Sequence, residues 1–181
     1  MMLDIEERLR RVRFIVCDVD GVLTDGLIGF DGEGRSFRSV HVRDVTALTL
    51  WHLGGGKSAL VTGLASKAVE AVAETWHCAE VHMRVKDKGA TCREIAARHG
   101  VDLEAVAFLG DDIIDLNAFR VVGVAVAVAD AHPEAKRAAH LVTDASGGQG
   151  ALRELVQRIL VAQGRYAESL EAYCSRTNGE Q

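Results

Sequence analysis

The sequence predicts an α/β fold, a doubly wound (Rossmann-like) parallel sheet in a single domain. Short, near-continuous apolar runs alternate along the chain with segments of helical periodicity. Such runs are typical of parallel strands buried on both faces, and their alternation with helices indicates right-handed crossovers. The length of 181 residues, 48% of them hydrophobic, suits one globular domain. We expect that domain over residues 1–165, followed by a polar C-terminal tail at 166–181.

Four strong strands are predicted, in order FIVCD (14–18), KSALVTG (57–63), AVAFLGDD (105–112) and GVAVAVAD (123–130). Two weaker strands are expected near 80–83 and 140–143. Helical patterns occupy the intervals, at about 44–53, 65–76, 87–99, 112–121, 133–139 and 150–163. Pro133 suits the first turn of its helix, where the N–H group that proline lacks would have no partner.

The segment between the first strand and the first of these helices departs from the alternation. Its DGEG sequence is flanked by LIGF and RSFRSVHV, a pattern that predicts a β-hairpin over about 26–42. The hairpin is expected to protrude from an otherwise plain domain.

Composition excludes several classes of function. The net charge of −5 is spread along the chain and forms no basic stripe for nucleic acid. No apolar run approaches the length of a membrane span, and the charged N-terminus lacks the apolar core of a signal peptide, so we expect a cytoplasmic protein. The four cysteines share no CxxC or metal-type spacing and are expected to be packing residues, with a ligand or disulfide role as the alternative.

Polar residues follow the predicted strands at the points where each one ends. Because the carboxyl ends of parallel strands meet at one edge of the sheet, residues far apart in sequence should gather there. They are Asp18 and Asp20 after the first strand, Thr62 and Gly63 after the second, Lys88 at the start of a helix, and Asp111, Asp112 and Asp115 after VAFLG.

This set of residue types predicts phosphoryl chemistry that depends on Mg²⁺. The ion prefers a few carboxylates and takes phosphate oxygens as further ligands. An aspartate could then attack phosphorus and form an aspartyl-phosphate, while Lys88 and the Thr62 hydroxyl hold the transferring oxygens. Asp20, two residues after Asp18 and therefore on the same side of an extended chain, could protonate the leaving alkoxide and later deprotonate water.

Each of these features is common by itself. A lone DxD pair is usual in loops, Lys86 competes with Lys88, and an acidic GDDIID segment suits any helix N-terminus. A signalling receiver domain is a second hypothesis, but its acids would be adjacent rather than spaced as DxD. A third hypothesis is a non-catalytic assembly domain, which would not need all of the motif acids.

The four motifs resemble those of the haloacid dehalogenase superfamily of phosphatases. They are DVDGVLT at 18–24, Thr62-Gly63, Lys88, and GDD at 110–112 with Asp115. The resemblance implies that Asp18 is the nucleophile and Asp20 the acid/base. It also implies that Mg²⁺ is held by Asp18, the backbone carbonyl of Asp20 and Asp111, with Asp112 and Asp115 as supporting acids.

Over residues 12–165 the chain is similar to a capless subfamily that acts on phosphates of eight- and nine-carbon keto sugar acids. That resemblance implies a homotetramer in which hairpins and C-terminal segments cover neighbouring sites. Several arginines of the subfamily are replaced, by Thr49, Leu64, Val72 and Gln149. Arg43, Lys67 and Arg153 remain as candidate substrate contacts, and another small phosphorylated metabolite stays open as the substrate.

Overall fold

The computed structural model describes residues 4–178. Its strands are β1 (Phe14–Cys17), β2 (Gly29–Phe30), β3 (Ser36–Phe37), β4 (Lys57–Val61), β5 (Glu80–His82), β6 (Val106–Gly110), β7 (Val124–Ala127) and β8 (Leu141–Val142). Its α-helices are α1 (Ile5–Arg11), α2 (Val42–Leu53), α3 (Lys67–Thr75), α4 (Lys88–His99), α5 (Leu116–Phe119), α6 (Pro133–Ala138), α7 (Ala151–Ala162) and α8 (Tyr166–Asn178). Single 3₁₀ turns occur at Leu103–Ala105 and Ile113–Asp115.

The main sheet contains six parallel strands in the order β5-β4-β1-β6-β7-β8. Strand β1 lies between β4 and β6, with Cys17 opposite both Leu60 and Leu109. From β1 the chain passes outward to β4 and β5, and then returns to build β6, β7 and β8 on the other side. The direction of winding therefore changes at β1, and the carboxyl end of β1 is where such sheets bind ligands.

Burial of apolar side chains holds the strands at fixed positions. Strands β1, β6 and β7 are buried along their whole length, as their uninterrupted apolar sequences require. Helix α2 packs against α7 and α8, while α4 packs against α5. Trp51 and Trp76 are 1% and 6% exposed, so both are packing residues. The predicted doubly wound parallel sheet is confirmed.

The predicted hairpin is present as the antiparallel pair β2 and β3. Its turn is closed by Asp31, whose carboxylate accepts the backbone N–H groups of Glu33 and Arg35 at 2.9 and 2.8 Å. The large apolar side chains of this segment face outward, with Leu27 71% exposed and Phe30 69% exposed. The hairpin therefore has little apolar packing of its own.

The C-terminal segment differs from the prediction. Residues expected to form a polar tail instead form helix α8, which packs on α2 and α7. Ser169 of α8 is 2% exposed and packs closely against Gly54 at the end of α2. The approach is so close that a Cβ atom at position 54 would lie 3.1 Å from the Ser169 hydroxyl. A few apolar residues at helical spacing and this close approach are enough to dock α8 on the domain. The polar composition of the segment therefore did not indicate that it would form a packed helix. Residues 1–3 and 179–181 lie outside the described residues.

Among residues 4–178, no helix combines the length and the apolar character that a membrane span requires.

Candidate active site

The site is built on the loop that leaves β1. Asp18 continues the strand pairing, its N–H donating to the carbonyl of Leu109 at 3.0 Å, and its side chain is 4% exposed. Thr24 closes the loop because its hydroxyl accepts the N–H groups of Gly21 and Gly26, both at 3.2 Å. Gly21 has a φ of +90°, and a side chain there would overlap the carboxylate of Asp111. The sequence DVDGVLTDG thus encodes a turn that brings β1 against the loop after β6.

Lys88 is the cation at the centre of the site. It is the first residue of α4, whose N-terminus is capped by the Asp87 side chain, and it is 1% exposed. Its Nζ lies 2.8 Å from Asp18 Oδ2 and 2.6 Å from Asp115 Oδ1. Burial alone would lower the pKa of Lys88, but the two carboxylates outweigh it and raise the pKa above its usual value. The competing Lys86 is exposed.

Asp115 organises the loop that follows β6. Its Oδ2 accepts the backbone N–H groups of Asp111 and Asp112 at 2.9 and 3.2 Å, while its Oδ1 accepts from Lys88. Asp112 completes a reciprocal capping box with Asp115 around the 3₁₀ turn. Both oxygens of Asp115 are therefore occupied, and its contribution is to fix the positions of Asp111 and Lys88.

Asp111 is the acid that lacks a counter-charge. Its Oδ1 is buried and, within residues 4–178, has no hydrogen-bond partner. Burial, together with the charges of Asp18 and Asp115, raises the pKa of Asp111 to about 8, although Lys88 acts in the opposite direction. Burial likewise raises the pKa of Asp18 to about 6, although Lys88 acts in the opposite direction.

These residues fit a divalent cation. One carboxylate oxygen from each of Asp18, Asp111 and Asp115 lies within 4.8 Å of the other two. Three acids exceed the charge of one lysine, and the unpartnered oxygen of Asp111 is the kind of hard ligand that Mg²⁺ takes. Asp111 Oδ1 is the buried oxygen of the three acids that lacks a donor within the described residues. Both oxygens of Asp115 are occupied, and those of Asp18 accept the N–H of Val19 at 2.7 Å and the Lys88 ammonium at 2.8 Å.

Asp20 and Thr62 form the second half of the site. The Thr62 hydroxyl donates to Asp20 Oδ2 at 3.3 Å and accepts the N–H of Leu64 at 3.1 Å. Thr62 itself is buried at the end of β4, and Gly63 lies exposed beside it. The structure therefore brings the acids after β1, the threonine after β4, the lysine of α4 and the acids after β6 to one edge of the sheet.

One residue of this site was not anticipated. Arg38, which follows β3 in the hairpin, forms an ion pair with Asp20 Oδ1 through its Nε. Its side chain is only 7% exposed, and its NH1 group lies 3.5 Å from the hydroxyl of Ser66. Local sequence carries no signal for it, since both residues of β3 are exposed and alternation there does not indicate which face Arg38 takes.

The three candidate substrate residues do not converge. Arg43 and Arg153 line a cavity of about 650 Å³ beside the N-terminus of α7. Lys67 lines a different cavity of about 490 Å³, together with Ser66 and Arg84. Only the second cavity shares a residue, Ser66, with the contacts of Arg38.

A parallel sheet that gathers a carboxylate cluster, a buried lysine and a strand-end threonine defines an enzyme of phosphoryl transfer. Comparison with known proteins specifies the family. Residues 57–155 match the family model described as haloacid dehalogenase-like hydrolase. The chain is 38% identical, over 88% of its length and 86% of the relative, to the 3-deoxy-D-manno-octulosonate 8-phosphate phosphatase of Yersinia pestis. The chain therefore belongs to the haloacid dehalogenase-like hydrolases, and its enzyme class is phosphoric monoester hydrolase.

Solved structures give the same assignment. A 3-deoxy-D-manno-octulosonate 8-phosphate phosphatase from Moraxella catarrhalis, solved with magnesium, phosphate and the sugar acid, matches with a TM-score of 0.90 at 27% identity, covering 93% of this chain and 97% of that one. The cobalt-bound phosphatase of Haemophilus influenzae matches with a TM-score of 0.86 at 33% identity, covering 90% of this chain and 98% of that one.

Proposed function

We propose that this protein is a Mg²⁺-dependent phosphatase of a keto-deoxy sugar acid phosphate, of the 3-deoxy-D-manno-octulosonate 8-phosphate type. The observation that carries the chemistry is the contact of Lys88 with both Asp18 and Asp115 beside the unpartnered oxygen of Asp111. The substrate class rests on relatives at 34% to 38% identity that carry this activity in their names.

In the proposed reaction Asp18 attacks phosphorus and forms an aspartyl-phosphate, while the bond from phosphorus to the sugar oxygen breaks. Asp20 gives its proton to that oxygen. Water then attacks phosphorus, Asp20 takes the proton of the water, and the bond to Asp18 breaks. Net consumption of one water returns every side chain to its starting state.

The other residues hold the reacting group. Lys88 and the Thr62 hydroxyl would bind the transferring oxygens, and the exposed backbone at Gly63 leaves room for them. Mg²⁺, held by Asp18, Asp111 and the backbone carbonyl of Asp20, would neutralise the excess acid and polarise the phosphoryl oxygens. Asp112 and Asp115 would keep the loop in place.

The 490 Å³ cavity supports a substrate that carries a second anionic group. Lys67 and Arg84 line it, and neither side chain has a hydrogen bond or ion pair with another described residue. Arg84 adopts a φ of +56°, a conformation that costs a non-glycine residue about 1 kcal/mol or more. Ser66 connects this cavity to the phosphoryl site through Arg38. We infer that the substrate carboxylate lies on the side of Lys67, and that Arg43 and Arg153 serve a separate surface.

Release of phosphate from a panel of phosphate esters, measured with and without Mg²⁺, tests this function. Eight- and nine-carbon keto sugar acid phosphates should be the best substrates, with hexose phosphates lacking a carboxylate well below them. The lost basic positions at Leu64 and Gln149 favour the alternative of another small phosphorylated metabolite, and an equal or faster rate on a hexose phosphate would establish that alternative.

We also infer a homotetramer formed through the hairpin. Four apolar side chains of this region, Leu27, Phe30, Phe37 and Val42, are between 59% and 71% exposed. A cluster of that kind on a small hairpin is typical of an interface between subunits. Light scattering should give four times the chain mass, and a monomer at micromolar concentration would contradict the inference.

A further inference from the structure

We propose that Arg38 positions Asp20 for proton transfer, so that the hairpin supplies part of the catalytic apparatus. The inference rests on the proposed phosphatase function and adds a residue to it. It starts from the ion pair between Arg38 Nε and Asp20 Oδ1, which joins two segments that lie on opposite sides of the hairpin turn.

Burial makes this pair different from the other arginine contacts of the hairpin. The Arg38 side chain is 7% exposed and that of Asp20 is 20% exposed. Arg35, three residues earlier, is 73% exposed and binds only Asp31 and Glu33 within the hairpin turn. An ion pair shielded from water holds its geometry more strongly than one on the surface.

The contacts distinguish the two oxygens of Asp20. A free carboxyl group can rotate and exchange its oxygens. Here Arg38 takes Oδ1, while Oδ2 faces the Thr62 hydroxyl at 3.3 Å. The guanidinium therefore holds Oδ1 and leaves Oδ2, beside Thr62, as the oxygen that can exchange a proton with the leaving group and the water.

Ser66 supports the arginine from the other side. Its hydroxyl lies 3.5 Å from Arg38 NH1 and also caps helix α3 by accepting the N–H of Ala68 at 3.2 Å. The arginine thus connects the hairpin, the loop after β1 and the start of α3. Displacement of the hairpin would release Asp20 Oδ1, because Arg38 is its hydrogen-bond partner among residues 4–178.

Two aryl esters of similar shape isolate this role. Phenol is a much weaker acid than p-nitrophenol, so phenyl phosphate needs a proton on its leaving oxygen and p-nitrophenyl phosphate hardly does. The value of kcat/KM reports only the steps up to release of that leaving group. For Arg38→Gln we expect kcat/KM on phenyl phosphate to fall about tenfold or more, with a change of about threefold or less on p-nitrophenyl phosphate.

Arg38→Lys keeps the charge without the planar guanidinium and should give an intermediate ratio between the two esters. The matched control is Arg35→Gln, which removes the same charge from the same hairpin and should leave the ratio of the wild type unchanged. Circular dichroism confirms folding, and the Lys variant keeps the test decisive if the Gln variant does not fold.

Equal losses on the two esters, or an increase in KM alone, would overturn the proposal, because either result would assign Arg38 to substrate binding or to structure. Failure of the proposed function is distinct from both. In that case the wild type itself would release no phosphate from either ester in the presence of Mg²⁺.

Discussion

Two clusters of carboxylates in this protein are built on opposite principles. At the carboxyl edge of the sheet, Asp18 is buried and Asp111 is half-buried, and their pKa values are raised to about 6 and about 8. At the outer strand β5, Glu80 accepts from Arg98, His82 and His99, and the hydrogen bond from Arg98 is the main reason why its pKa is lowered to about 2. Acids outnumber cations in the first cluster, whereas one arginine and two histidines surround a single acid in the second.

This difference in charge balance indicates that one cluster serves function and the other serves stability. The Glu80 cluster satisfies its carboxylate completely and therefore stabilises the fold. The Asp18 cluster has an excess of negative charge and one buried oxygen without a partner among the described residues, and both lower the stability of the fold. Such an arrangement is typical of a functional site, where a bound ligand supplies the missing positive charge. Changes in the first cluster should therefore affect activity more than stability, and changes in the second should do the reverse.

The largest effect is expected from Asp18→Asn. Removal of the nucleophile should lower phosphate release by about 10⁴-fold or more. The melting temperature without metal should stay the same or rise at neutral pH, because the substitution removes a buried charge that other carboxylates repel. Asp25→Asn is the matched control, since Asp25 is the exposed acid of the same loop, and it should keep full activity. An active Asp18→Asn enzyme would contradict the assignment.

The second effect is stabilisation by Mg²⁺. At a concentration one hundred times its Kd, the ion should increase the free energy of unfolding by about 2.7 kcal/mol. Asp111→Asn should abolish that increase, because it replaces the carboxylate that carries the unpartnered oxygen. Thermal unfolding followed by fluorescence measures both. Equal stabilisation of the wild type and Asp111→Asn would place the ion elsewhere, and Asp25→Asn again provides the control.

The smallest effect is expected at the second cluster. Because the folded pKa of Glu80 lies below its ordinary 4.5, its stabilisation is present above pH 4.5 and is lost as the pH falls towards 2. Glu80→Gln should lower the free energy of unfolding at pH 7 by about 1 kcal/mol, a value reduced for the partial exposure of its partners. The difference from the wild type should vanish near pH 2, with phosphatase activity at neutral pH unchanged. A difference that grows with acidity would contradict the account.

The fold was largely predictable because its strands are buried on both faces and therefore have uninterrupted apolar sequences. The catalytic edge followed from the same pattern, since each polar motif stands directly after a strand. The choice of Lys88 over Lys86 agrees with helical geometry, in which the residue after the Asp87 cap points into the sheet edge.

Three features could not be read from local sequence. The ion pair of Arg38 depends on how the hairpin folds back, which no periodicity specifies. Helix α8 is stabilised by docking on α2 and α7 rather than by a strong apolar stripe of its own. The separation of Arg43 and Arg153 from Lys67 depends on which side of the sheet edge each helix begins.

The central claim is that Asp18 receives the phosphoryl group, and chemical trapping tests it most directly. Enzyme quenched during turnover with Mg²⁺ and a sugar acid phosphate is treated with borohydride, which reduces an aspartyl-phosphate to homoserine. Peptide mass spectrometry should then find homoserine at position 18 and unmodified aspartate at positions 20 and 111. Homoserine at position 20 or 111 instead, with phosphate released at the normal rate, would contradict the account.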